Sequence, residues 1–303
     1  MIENLQFGNF VWRHIVNPTD ENLEYLINNY DFHPLDIEDC RSKAQRPKID
    51  IYDDYYFLIL HFPSYDNLNR FLTTKEVKIF WGKDYIITIG NSHWVVKKFF
   101  ESIKANFDAF REDLSTDASD ALLYKILEKL MKETLLLLDS VGNEVEKINL
   151  DLFNRKPETI IEKISVTRKN IILLDTMFKP QLRLFHKFES GEIKGYAEDM
   201  EDYWGNILDY YQKMWDMTED YKEMIEGLSK TYDSLQTNRI NEIIRVLTLI
   251  STILLPMTFI ASLYGMNVGL PFQEHGAAFW IVTGVMIAVT VVFLFYFRRK
   301  RWM

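Results

Sequence analysis

The chain has 303 residues, 48% hydrophobic and 26% charged, with a formal net charge of -9. An acidic balance argues against wrapping phosphate backbones, so nucleic acid is not an expected partner, and it suits cation handling or plain solubility. The single cysteine, Cys40, excludes an internal disulfide and, close to Asp36, Glu38 and Asp39, fits a reduced compartment.

Residues 1–118 alternate short β-rich runs, FVWRHIV, YYFLILHF, EVKIFWG and YIITIG, with polar and helical stretches, the pattern of an α+β domain. NPTDENLEYLINNY carries a Thr19/Asp20 helix start, and HPLDIEDC follows it, so helices are expected to flank the sheet. Tyr65 to Thr74 reads as an exposed hairpin loop. The start, MIENLQFGNFVWRH, lacks the basic end and apolar core of a secretory signal, so this part is expected to stay in the cytoplasm. In His33, Asp36, Glu38, Asp39 and Cys40 the spacing fits no familiar ligand set, and a polar helix end is the better reading than a metal site.

Residues 119–240 change character. A Leu-, Lys- and Glu-rich helix from Ala121 to Leu152 is broken at Asn154–Pro157, and a second, Glu158 to about Phe178, folds back on it with Lys179-Pro180 as its stop. From about Glu198 no proline occurs until Pro256, which predicts a helical rod of order 100 Å at 1.5 Å per residue. Gly205 and Gly227 are weak interruptions of it.

Residues 241–303 are membrane-like. Val246–Tyr264 and Gly276–Phe297 contain no charged side chain, which predicts spans of about 245–265 and 277–297. Arg239 and Arg245 precede the first span and Arg298-Arg299-Lys300-Arg301 follow the second, placing both termini inside and the connecting loop outside a plasma membrane. Counting by three and four from Asn241 gives Ile244, Thr248, Ser251, Leu255, Thr258, Ser262 and Gly265, a stripe in which small and polar residues dominate. Two readings stand for it: close helix approach, or the lining of a water-filled path. Two helices cannot enclose such a path, so conduction requires an oligomer. Pro256 removes one helical hydrogen bond in mid-span, a common event in membrane helices.

The segment NEIIRVLTLISTILLPMTFIASLYGMN, with GMN ending the first of two C-terminal spans, resembles the CorA family of magnesium and cobalt transport proteins; HPLDIEDC and QRPKIDIYDDYYFLIL extend the resemblance into the first domain. The resemblance implies a funnel-shaped homopentamer, with the long helix lining the pore and Gly265, Met266 and Asn267 forming its outer mouth. Neutral amide and carbonyl oxygens there suit hydrated Mg2+, which holds its waters tightly. The resemblance makes Asn241 a second polar ring, Ile244, Leu247 and Leu255 apolar constrictions, and Ser251, Thr258 and Ser262 further lining. Gly265 also suits a helix C-terminus.

The same resemblance implies a cytoplasmic regulatory Mg2+ bound between subunits. Asp66 matches one ligand position, the other is Asn206 rather than an acid, and Asp209 lies a turn beyond it. For Asp66 a solvated loop aspartate is the alternative. Partners are thus further copies of the chain, lipid and divalent cations. Outside transport, the chain holds no phosphate-cradling Gly loop, HExxH, GxSxG or paired cysteines, so neither an enzyme nor an organic cofactor is expected. The alternatives are a zinc transporter of the same architecture, for which Met266 is the less usual residue, and a membrane-anchored protein that transports nothing. Glu274 and His275 in the outer loop imply modest cation attraction.

Overall fold

The computed structural model describes residues 2–42, 45–66, 71–90, 93–114, 118–152, 157–269, 276–300 and 302. Strands β1 (Ile2–Phe7), β2 (Phe10–Ile15), β3 (Lys48–Ile51), β4 (Tyr55–Asp66), β5 (Phe71–Gly82) and β6 (Tyr85–Ile89) form one sheet in the order β1-β2-β6-β5-β4-β3. β2 and β6 run parallel and the other neighbours antiparallel. Helices α1 (Asp20–Asn29) and α2 (Pro34–Arg41) cover one face through Leu23, Leu26, Ile37 and Cys40, which pack on Phe57, Ile59, Phe80 and Ile87. The Thr19 start is a full capping box with Asn22.

Successive strand residues point to opposite faces, so next to Phe80 the indole of Trp81 faces the other layer. There α3 (Trp94–Ala105), α4 (Phe107–Asp113), α5 (Ser119–Asp151) and α6 (Pro157–Glu189) follow in sequence. Trp12 meets Phe100 of α3 edge-on at 4.8 Å, and Trp81 donates to Ser119 Oγ at 3.2 Å. The last helices are α7 (Glu201–Tyr264) and α8 (Ala278–Arg299).

Two sequence expectations fail. Lys179-Pro180 does not stop a helix: α6 continues to Glu189 with Pro180 inside it and solvent-exposed. Proline in a helix interior costs about 3 kcal/mol. Against that, α6 beyond it buries Phe185 and Phe188, and the buried Gln181 clamps the sheet. Its Nε2 donates to His61 O at 2.9 Å and its Oε1 accepts from His61 N–H at 2.8 Å, on the edge of β4 beyond the reach of β3.

Within the Tyr65 to Thr74 segment, the described residues Tyr65, Asp66 and Phe71–Thr74 are strand and not loop. The β4–β5 ladder continues through Tyr65↔Leu72 to Asp66↔Phe71. Leu72 is buried and gives its N–H to Asn170 Oδ1 at 2.9 Å, while the Lys169 ammonium lies 3.8 Å from the Phe71 ring centroid. Residues 67–70, the interhelical break at 153–156, Glu274 and His275 lie outside the described residues.

The chain divides into two compact units, Met1–Ser229 and Lys230–Met303. The first holds the sheet, α1–α6 and the start of α7. Here Phe185 stacks on Tyr211 at 4.3 Å, and Lys222 reaches Asp175 at 3.4 Å. The second holds the rest of α7 and α8. In their most apolar windows 6% of α7 and none of α8 is buried inside the chain. A core helix of a soluble protein would be mostly covered; these two expose Leu255, Phe259, Trp280 and Phe295.

Candidate functional site

The residues singled out from the sequence fall into two groups. Asn241, Ile244, Leu247, Thr248, Ser251, Leu255, Thr258 and Ser262 all lie on α7 in the second unit, and all are exposed within the single chain. A three-four spacing on a helix of 3.6 residues per turn drifts by about 20° per heptad, so the stripe winds slowly around α7. Leu247 joins it four residues before Ser251.

The hydroxyls of this stripe are oriented. Thr248 donates to Ile244 O at 2.8 Å and Thr258 to Leu254 O at 2.9 Å. Each proton is therefore spent on the helix itself, and the oxygen lone pairs are what the surface offers, the polarity that a cation's shell requires. Pro256 sits within the continuous helix and has no N–H for the carbonyl of Thr252, four residues earlier.

α7 ends at Tyr264, and the Gly265 N–H still bonds Ala261 O at 2.9 Å while Met266 N–H closes on Leu263 O at 3.3 Å. Gly265 thus follows the last helical residue, where a helix-terminal glycine is expected, but without the left-handed backbone of a usual glycine cap. A Cβ there would stand 3.2 Å from Ala261 O, a tight contact. Met266 and Asn267 follow as exposed bends.

The second group lies in the first unit. Asp66 ends β4 opposite Phe71 and is half-buried. Asn206 lies in the first turns of α7, exposed, and its Nδ2 donates to Tyr124 Oη of α5 at 2.7 Å. Asp209 follows on the exposed side. Trp81, at the opposite end of the β4–β5 hairpin, meets Trp204 at 5.8 Å. At about 3.3 Å per residue, Asp66 and the start of α7 are separated by roughly 35 Å of strand. One chain therefore does not bring Asp66 and Asn206 together, and an ion shared by them has to bridge two copies. Tyr124, the partner of Asn206, is 82 residues away in sequence, and nothing in the local pattern identifies it.

The cluster at His33 to Cys40 is structural. His33 Nδ1 accepts from Leu35 N–H at the start of α2, and Asp36 accepts from Tyr55 at 2.8 Å and Tyr52 at 3.2 Å. Asp39 pairs with Lys48 at 2.7 Å. Burial pushes the Cys40 thiol up to about 12, which leaves it a poor nucleophile. Among the described residues, no group of three or more His, Cys, Asp or Glu is placed to hold a metal ion.

Comparison with known proteins gives a consistent result. The model of a family described as CorA-like Mg2+ transporter protein matches residues 7–299. A putative metal ion transporter of Bacillus subtilis, YfjQ, is 28% identical over 96% of this chain and 89% of its own length. The cobalt/magnesium transport protein CorA of Thermotoga maritima is 24% identical over 90% of this chain and 78% of its own. Among solved structures, the CorA magnesium transporter from Methanocaldococcus jannaschii superposes with a TM-score of 0.84 at 20% identity, covering 97% of this chain and 92% of that one. At that identity the superposition establishes the fold: a soluble α/β domain, long helices and two C-terminal apolar helices.

Proposed function

The chain belongs to the CorA-like Mg2+ transporter family of membrane-borne divalent cation transporters, and from that premise we propose that it carries hydrated Mg2+, with Co2+ and Ni2+ as near competitors, through a pore lined by α7. The observation that carries this reading is the single helix face running from Asn241 to Ser262 and delivering Gly265-Met266-Asn267 at its end. In a ring of copies, five by analogy with the family, Asn267 amides and Gly265 carbonyls meet the incoming ion. Hydrogen bonds from its water shell to neutral oxygens retain the ion without stripping it.

Below the mouth, the Ser262 and Thr258 oxygens receive the same shell. Leu255, Leu247 and Ile244 narrow the path with apolar rings that close by dewetting, and Asn241 forms the inner polar ring. The working division is 1–118 as a cytoplasmic α/β body, 119–240 as a stalk and 241–303 as the membrane part, with both termini on the cytoplasmic side of the plasma membrane. Regulation by internal Mg2+ joins Asp66 of one copy to Asn206 or Asp209 of the next. The roughly 35 Å between these positions within one chain supports an intersubunit ion, and the missing acid at 206 makes for a weak sensor.

The deciding experiment is Mg2+ uptake into liposomes by the intact protein and by Asn267→Ala. Loss of a charge-assisted hydrogen-bond ring, about 1.5–3 kcal/mol, lowers uptake about tenfold or more. Undiminished uptake overturns the mouth assignment, and absence of flux in the intact protein favours a non-transporting anchor. Stronger competition by Zn2+ than by Co2+ moves the cargo to zinc.

A further inference from the structure

The first unit contains a cleft of about 1170 Å³ where the C-terminal turn of α2, the segment Gln45–Pro47, His61 of β4, Thr74–Glu76 of β5, and α6 meet. Its charge is opposite to that of the chain. Arg41, Arg46 and Lys75 line it, against one carboxylate, Glu76, in a protein of net charge -9.

That carboxylate is committed. Glu76 Oε1 accepts from Gln45 N–H at 2.7 Å, and Oε2 lies 3.1 Å from the buried Lys78 ammonium. Lys78 in turn donates to Asp39 O at 2.6 Å and Ser42 O at 2.9 Å, so the helix-end carbonyls of α2, which would otherwise repel an anion, are already neutralised. The cations of the rim are less engaged. Arg41 has one long contact to the exposed Asp20 at 3.4 Å, and among the described residues Arg46 and Lys75 have no carboxylate partner. On the α6 side the cleft is lined by Met177 and Pro180 beside Thr176.

A cleft rimmed by three cations, two of them without a carboxylate partner among the described residues, and with a neutralised floor has the chemistry of a site for a multiply charged anion, and the apolar residues of α6 suit a non-polar appendage. We propose that it binds a polyphosphate-bearing small molecule of the nucleoside di- or triphosphate class. The assignment is independent of the pore reading, because every residue in it lies in the first unit.

The test is isothermal titration of the full-length detergent-solubilised protein in metal-free buffer with ATP, pyrophosphate and adenosine. ATP binds saturably, pyrophosphate binds more weakly and adenosine does not bind. Affinity for ATP falls at least about tenfold, or 1.4 kcal/mol, in the double variant Arg46→Glu, Lys75→Glu. It is retained in Lys83→Glu, Lys98→Glu, which makes the same change in net charge on exposed positions outside the cleft. The milder pair Arg46→Ala, Lys75→Ala gives an intermediate loss and guards against misfolding of the charge reversal. Pyrophosphate binding as tightly as ATP assigns recognition to the phosphates alone and removes the apolar residues of α6 from the proposal. Absence of saturable binding by ATP and pyrophosphate overturns the site, as does equal affinity in the cleft and control variants.

Discussion

The two units of this chain solve burial in opposite ways. The first encloses its large side chains, with Trp12, Phe57, Phe80 and Trp81 at 0% exposure, and pairs most of its interior polar groups within the chain. The second leaves Leu255 at 70%, Trp280 at 73% and Phe295 at 69% exposed. Apolar burial is worth about 25 cal/mol per Å², so the first unit carries its stabilisation internally. The second leaves its apolar surface to be covered from outside the chain, which suits a lipid environment. The contrast separates a first unit that closes its core on itself from a second whose apolar helices stay uncovered within the chain.

Acid is the sharpest way to break the first unit. Burial holds the imidazoles of His14 and His93 down to about 4; Glu3 partly opposes this at His14, and Lys75 adds to it at His93. Both ring nitrogens of His93 are buried without a hydrogen-bond partner among the described residues. Because the folded pKa is below the unfolded one, the unfolded state binds more protons between these values. The contribution of each histidine is therefore complete above about pH 6.5 and is lost as pH falls towards 4, at a cost on the order of 3 kcal/mol each. Urea unfolding followed by tryptophan fluorescence should show stability declining from pH 6.5 to 4.5, with a shallower slope in His93→Leu. An unchanged slope in that variant would remove His93 from the account.

A matched pair of tryptophans tests the contrast directly. Trp81→Ala removes a fully buried indole that bonds Ser119 and packs on Phe188 and Trp204, and should cost about 3–5 kcal/mol in the same denaturation. Trp280→Ala, at an exposed position in α8, should change the stability of the first unit by less than about 0.5 kcal/mol. Comparable losses in both variants would mean that the two units unfold as one.

Gly142 offers a smaller perturbation. A Cβ there would stand 2.6 Å from Tyr221 Cζ, so Gly142 makes room for the Tyr221 ring of α7 against α5. Gly142→Ala should cost about 1–3 kcal/mol through overpacking, and Tyr221→Phe should not rescue it, because the ring itself is in the way. The smallest effect concerns the ion between copies. At tenfold over its Kd a ligand adds about 1.4 kcal/mol, so Mg2+ should modestly slow proteolysis of the first unit and Asp66→Ala should abolish that protection. Protection that survives the substitution would take Asp66 out of the site.

The legible parts of the sequence were those in which local pattern and tertiary demand agree. Alternation marked β2, β4, β5 and β6, and the Thr19 signal marked the start of α1. The polar IENLQF of β1 and the four-residue KIDI of β3 form the two edges of the sheet, where one flank needs no partner and the hydrophobic pattern is weak. Pro180 misled because a local helix breaker was outweighed by the burial of Phe185 and Phe188 two turns on. The stripe from Asn241 to Ser262 was legible because all its members share one helix. Arg41, Arg46 and Lys75 carry no common pattern, since folding alone brings their three segments to one cleft.

Gln181 has one more consequence. β3 pairs with β4 only as far as Ile59, which leaves the peptide of His61 on a bare strand margin of the kind that recruits strands from other molecules. The amide of Gln181 presents a carbonyl and an N–H together, as a strand residue would, and occupies both positions of that peptide. A single helical side chain thus acts as a false strand and closes this one stretch of the β4 margin to pairing.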